Sequence, residues 1–250
     1  MVEDTLWVMG GGDENYYPQK WTQVVRQGQP TQWGPNLTEI GAGHCATTLQ
    51  DNSVILTGGQ TRSNFSGSAR TEIYNSTTKR WERKADMRQR RYGHSCTNVW
   101  LDPDPSIQSG VIAPFLRDTS VLSVVVAGGK MILYFTAHSF YATGYYFDEE
   151  AKVNPVHSVE VYLPWNYTWL ELAPLPLLKD KVHRMDNTRI FSLNENGGLA
   201  LYLLGGESTL DITMGYISNA VWRPDWFSAN QSYHWTEDDE LDPPMGELHH

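Results

Sequence analysis

Four apolar runs in this chain end in a pair of glycines: Gly10-Gly11, Gly58-Gly59, Gly128-Gly129 and Gly205-Gly206. A repeat of this kind constrains a fold more than any single motif, because each copy is one unit that must stack on its neighbours to bury its faces. The second copy is the clearest. From Gly43 it reads GHCATTLQ, SVILTGG, RTEIY and RWERKADM, four short runs separated by turn residues. β-Branched and aromatic residues are frequent in the first three, as expected of strands. The same order recurs as GHSCTNVWL from Gly93, VLSVVVAGG to Gly129, SVEVY to Tyr162, and then TWLELAPL. Tyr74 precedes Trp81 by seven residues, and Tyr162 precedes Trp169 by seven. Gly11 to Trp33 and Gly59 to Trp81 both span 22. The fourth copy carries LALYLLGG and Trp235. The expected fold class is all-β.

A strand ending in Gly-Gly, then a Tyr, then a Trp about seven residues on, resembles the kelch repeat, in which each copy is one four-stranded propeller blade with a period of about 50 residues. His44 and His94 stand 50 apart. The resemblance covers nearly the whole chain. It is closest in copies two and three. Copy one has Arg26, and copy four Ser228, seven residues before its Trp. The resemblance implies a kelch-type β-propeller of the secreted, invertebrate type, or a fragment of one. Four blades fall at about 5–40, 41–88, 89–178 and 179–240. With strands named a to d from the channel outward, the chain opens on a strand b, so the first blade is expected to lack strand a. Trp235 to His249 spans 14 residues, as Trp169 to His183 does, which places the last two residues where another strand a would begin. The expectation is part of a larger ring, or one closed by a partner strand. The alternative for His249 and His250 is the remnant of an affinity tag.

The third blade departs from the others. Insertions at about 102–120 and 130–155 fall between its strands a and b and its strands b and c. The second insertion holds Tyr134, Phe135, His138, Phe140, Tyr141, Tyr145, Tyr146 and Phe147. Long loops in compact domains are often functional, and aromatics anchor interfaces. These eight residues are the binding candidates if they are exposed. The alternative is a longer hairpin that buries its own aromatics.

Cys45 follows His44 by one position and Cys96 follows His94 by two. Alternate strand residues face opposite sides, so this offset lets the two cysteines of adjacent blades face each other. A disulfide is expected. Sequons stand at Asn36, Asn64, Asn75, Asn166 and Asn230. Five exceeds the roughly two expected by chance at this composition. Together with the cysteine pair they favour an extracellular compartment, with a cytoplasmic one as the alternative. The start, MVEDTLWVMGGG, does not read as a signal peptide.

His44, His94 and His183 recur at the start of strand a. They read as repeated structural residues rather than a metal site, since no HExxH or paired CxxC spacing occurs. GxSxG, GxGxxG and P-loop patterns are also missing from the sequence. No cofactor is expected. With 19 Lys+Arg against 29 Asp+Glu, the chain is a poor nucleic-acid binder. The most apolar stretch, Val111 to Ala137, is broken by Arg117, Asp118 and Lys130, so membrane insertion is not expected. The reading is a non-enzymatic module that binds a protein or glycan through blade loops. The alternatives are an intracellular scaffold or adaptor, a galactose-oxidase-like or hydrolytic propeller enzyme, and a structural subunit that self-associates through unpaired blade edges.

Overall fold

The computed structural model describes residues 5–15, 17–39, 41–60, 67–101, 121–127, 130–132, 153–172, 174–175, 189–195, 198–204, 207–208, 216–217, 221–225 and 234–237. The chain is all-β, and no helix occurs among the described residues. β1 (Thr5–Met9), β2 (Thr22–Arg26) and β3 (Gln32–Gly34) form a three-stranded antiparallel sheet in chain order. β4 (Cys45–Thr48), β5 (Val54–Thr57), β6 (Thr71–Asn75) and β7 (Arg80–Arg83) form a four-stranded meander. The third sheet has β8 (Ser95–Leu101) and β9 (Val121–Ala127). A separate hairpin, β10 (Lys130–Ile132) with β11 (Val153–Pro155), comes next in the chain. The sheet resumes with β12 (Val159–Leu163) and β13 (Thr168–Leu172). The fourth repeats this plan. It contains β14 (Arg189–Glu195) and β15 (Gly198–Leu204), then the short pair β16 (Glu207–Ser208) and β17 (Tyr216–Ile217), then β18 (Val221–Asp225) and β19 (His234–Glu237).

The inner strands read as continuous apolar runs because both of their faces are buried. β5 shows how. Val54 and Leu56 pack with Trp81 against Trp7, Met9 and Leu37 of the first sheet and its following segment. Ile55, of opposite parity, joins Ile73 and Met87 against Val124, Val126, Tyr162 and Trp169 of the third sheet. β9 then divides in the same way. Val125 and Ala127 face away from the second sheet and pack in the cluster that holds Ile190 and Leu201 of the fourth. Period-two alternation therefore sends successive residues of one strand to different neighbouring sheets.

The seven-residue Tyr-to-Trp spacing is a cross-strand pair. Tyr74 lies opposite Trp81 and Tyr162 opposite Trp169. Their ring centroids are 5.6 and 5.3 Å apart, both tilted by 53°. Each indole also reaches across the sheet boundary. Trp81 Nε1 donates to the Pro35 carbonyl at 3.1 Å, and Trp169 Nε1 to the Ala85 carbonyl at 3.0 Å. Registers correct the sequence reading at two places. Trp33 faces Gln23, not Arg26, because this pair is 10 residues apart where Tyr74 and Trp81 are 7 apart, the β2–β3 connection being longer. Trp235 faces Pro224, not Ser228, because residues 226–233 lengthen the connection between β18 and β19.

Candidate functional site

At each described boundary, the strand before a glycine pair meets a histidine from the next sheet. Gly10 and Gly58 have φ of +56° and +63°. A Cβ on Gly10 would lie 2.5 Å from the Gly41 carbonyl oxygen and 2.9 Å from His44, and one on Gly58 would lie 2.6 Å from both the Arg91 carbonyl oxygen and His94. The glycines are thus required by close approach as well as by conformation. His94 Nε2 is 2.9 Å from Thr57 Oγ1. Burial, with Arg70 adding to it, pushes His44 down to about 4. Burial, with Arg91 and His44 adding to it, holds His94 well below the ordinary histidine range. Both imidazoles are therefore neutral wedges between sheets. His183 lies outside the described residues. Among the described residues, no three His, Cys, Asp or Glu side chains converge as metal ligands would.

Behind the histidines lie two fully buried ion pairs that sequence reasoning missed. Arg70 Nη1 is 3.2 Å from Glu72 Oε1, and Arg91 Nη2 is 2.6 Å from Glu160 Oε1. Both carboxylates also accept backbone N–H bonds from the segment entering their own sheet. Glu72 Oε2 accepts from Thr38 at 2.8 Å, and Glu160 accepts from Arg88 and Gln89 at 2.6 and 3.1 Å. The arginines, however, come from different places. Arg70 stands two residues before Glu72 and lies over Gly41, where any side chain would collide with its guanidinium. In the next sheet the residue two before Glu160 is Ser158, and the arginine comes from position 91, the counterpart of Gly41. Position 91 then binds Ser158 through its carbonyl at 2.9 Å and its hydroxyl at 2.6 Å. The equivalence of 41 and 91 is fixed by backbone bonds, since Gly11 N donates to Gly41 O and Gly59 N to Arg91 O, each at 3.0 Å. The sequence carried a signal: a glutamate two residues before the repeat tyrosine in both TEIY and VEVY.

Cys45 and Cys96 are joined in a disulfide, with Cα atoms 6.0 Å apart. They tie β4 to β8, the first strands of the second and third sheets. Asn98 on β8 bonds the Thr47 hydroxyl and the Thr48 carbonyl beside them. This boundary is therefore held covalently at its β4–β8 edge and by Trp169 at the other.

Between the same two sheets lies a cleft of about 580 Å³, at the end that bears the β4–β5, β6–β7 and β12–β13 turns. Asp51, Asn75, Glu82, Lys84, Tyr162 and Tyr167 are among its lining residues. Tyr162 is fully buried, and its hydroxyl has no hydrogen-bond partner among the described residues. Burial, with Tyr167 adding to it, pushes this phenol upward, so it stays protonated. Tyr167 is 57% exposed with a φ of +58°, a conformation that costs a bulky side chain energy. Lys84 Nζ sits 5.3 Å from its ring centroid and 3.1 Å from Glu82 Oε2. Hydrogen bonds from Lys84 and then Asn75 hold the Glu82 carboxyl below its ordinary range. An aromatic face and a charged pair thus meet at one opening, with the buried Tyr162 hydroxyl beneath its wall. Such a set favours recognition of a ligand with both polar groups and an apolar surface. The sequence offered no pattern for it, because the residues come from two sheets and three turns.

The other expected sites divide simply. Tyr134, Phe135, His138, Phe140, Tyr141, Tyr145, Tyr146 and Phe147 lie outside the described residues, between β10 and β11. Asn64, Asn230 and the glycines at 128, 129, 205 and 206 also lie outside, as does the insertion at 102–120. Asn36 and Asn166 are exposed. Asn166 Oδ1 accepts from Thr168 Oγ1 at 2.7 Å, whereas Asn75 Nδ2 donates to Glu82 at 2.8 Å and Asn75 Oδ1 caps its turn. No protein-family model and no curated protein matches this chain.

Proposed function

We propose that the chain is a kelch-type β-propeller, or part of one, that works outside the cell as a non-enzymatic binding module for a protein or glycan. The cleft between the second and third sheets carries this reading. It places an exposed aromatic ring and an ion pair on a scaffold stiffened by buried salt bridges and a disulfide. Meander sheets stacked in chain order support the propeller assignment, and the Tyr–Trp cross-strand pairs fit the kelch repeat. The disulfide suits an oxidising compartment. The aromatic residues at 134–147 of the sequence are a second candidate contact region.

Two measurements test the proposal. Purified protein is screened on a glycan array and against a panel of extracellular domains. Tyr167→Ala and Lys84→Ala are then compared with the wild type for whatever binds. We expect at least about tenfold weaker binding for Tyr167→Ala, equivalent to about 1.4 kcal/mol. A ligand whose affinity ignores both residues and the 134–147 segment removes the reading. Glycosidase treatment of protein from its native source is expected to lower its mass. An unchanged mass together with two free thiols would favour the intracellular adaptor instead.

A further inference from the structure

The first sheet has one covered face and one open face. Trp7 and Met9 point to the second sheet. Leu6 and Val8, of opposite parity, point away and are 52% and 39% exposed. Pairing puts Val25 opposite Leu6, Gln23 opposite Val8 and Trp33 opposite Gln23, so these residues share that outer face. Trp33 is 72% exposed and stacks edge-on with Trp21 at 5.9 Å.

The neighbouring sheets show what such a face does. Met9 pairs with Thr22 as Thr57 pairs with Thr71 and Ala127 with Val159. Counting back, Leu6 corresponds to Val54 and Val124, and Val8 to Leu56 and Val126. Those four counterparts are at most 4% exposed, and each is buried against the preceding sheet. The open face is therefore the sheet-receiving face of the repeat, with apolar residues at the same positions and, among the described residues, nothing seated on it.

The chain also carries the donor side of this contact. Each sheet is followed by an apolar residue that packs on the next one: Leu37 beside Trp81, Met87 beside Trp169, and Leu175 beside Ile190. Met87 and Leu175 stand six residues after Trp81 and Trp169. Leu241 stands six residues after Trp235. Trp235 pairs with Pro224 at the register that Trp169 has with Tyr162. The sequence thus carries the donor spacing past the fourth sheet, while no described residue of the same chain covers the receiving face.

We infer that the outer face of the first sheet receives the fourth sheet of a second copy of this chain, head to tail. The contact repeats the three sheet-on-sheet interfaces already inside the molecule and does not depend on the binding reading above. A head-to-tail contact is heterologous, so it builds rings or filaments. Exposed apolar faces of this kind mark interaction surfaces.

Sedimentation velocity tests the inference over about 1 to 100 μM, where small interfaces associate. The wild type is expected at twice its 28.4 kDa mass or above, with the fraction rising with concentration. Val8→Lys and Trp33→Glu, made separately, are each expected to return the protein to 28.4 kDa. Both residues are exposed, and an unchanged thermal midpoint shows that the sheet still folds. A wild type that is monomeric throughout would overturn the inference. So would association that survives both substitutions, since the copies would then meet elsewhere.

Discussion

The two buried arginines make a test of whether the folded boundary needs a guanidinium at a place or an arginine at a position. Arg91→Gly removes the cation 2.6 Å from Glu160 and leaves a carboxylate fully buried. Two backbone N–H groups still bond it, but its counter-charge is gone. Breaking a buried pair by removing one partner costs about 3–5 kcal/mol. Ser158→Arg alone forces a second cation into a space that Arg91 fills, so it too is expected to destabilise. Combining them rebuilds the arrangement of the second sheet, where position 70 supplies the arginine over glycine at position 41. The double variant is expected to recover at least about 2 kcal/mol relative to Arg91→Gly, well beyond the 0.3–0.5 kcal/mol typical of independent sites. Urea denaturation followed by tryptophan fluorescence reads this directly. At a slope of about 1–3 kcal/mol/M, recovery of 2 kcal/mol raises the midpoint by about 0.7 M or more. If the double variant is no more stable than Arg91→Gly, the two boundaries are not interchangeable and the reasoning fails.

Replacing both Cys45 and Cys96 by Ala opens a cross-link between residues 51 apart, which loop-closure entropy sets at about 4 kcal/mol. Calorimetry should show a midpoint lower by about 8–16 °C, and a drop under 2 °C would mean the unfolded chain gains little freedom. His44 and His94 have depressed folded pKa values, so their stabilisation is complete above the ordinary value of 6.5 and falls away below it, for His44 as pH approaches about 4. Between pH 6.5 and 5 His44 costs about 2 kcal/mol, and His44→Gln should flatten the fall in thermal midpoint over that window. Gly58→Ala combines a positive φ with a contact 2.6 Å from the Arg91 carbonyl oxygen. It should cost clearly more than Gly11→Ala, where φ is +92° but nothing lies within 4 Å and about 1–2 kcal/mol is expected. Equal losses in equilibrium unfolding would show that the close approach contributes nothing.

The strands were legible because their apolar runs and turn residues are local features. The disulfide was legible because a one-residue offset on two strands fixes which faces meet. Registers were legible only where connections have equal lengths. Trp33 and Trp235 were given the wrong partners because counting residues along the chain cannot see a lengthened turn. The buried Arg–Glu pairs were missed because one charged residue on a strand looks solvent-facing until a second sheet covers it. The cleft was missed for a related reason. Asp51, Lys84 and Tyr167 have no shared spacing and meet only after two sheets have packed.

The parity rule of β9 has a consequence for synthesis. Val124 and Val126 can be covered as soon as the third sheet forms, because the second sheet already exists. Val125 and Ala127 wait for β14, which begins 62 residues after Ala127. At about 5–20 residues per second, that delay is about 3–12 s. For those seconds the growing chain carries apolar residues of β9 that the fourth sheet has yet to cover. The interval is longest where the third sheet is stretched by its insertions, so the step most open to misassembly is the arrival of the fourth sheet.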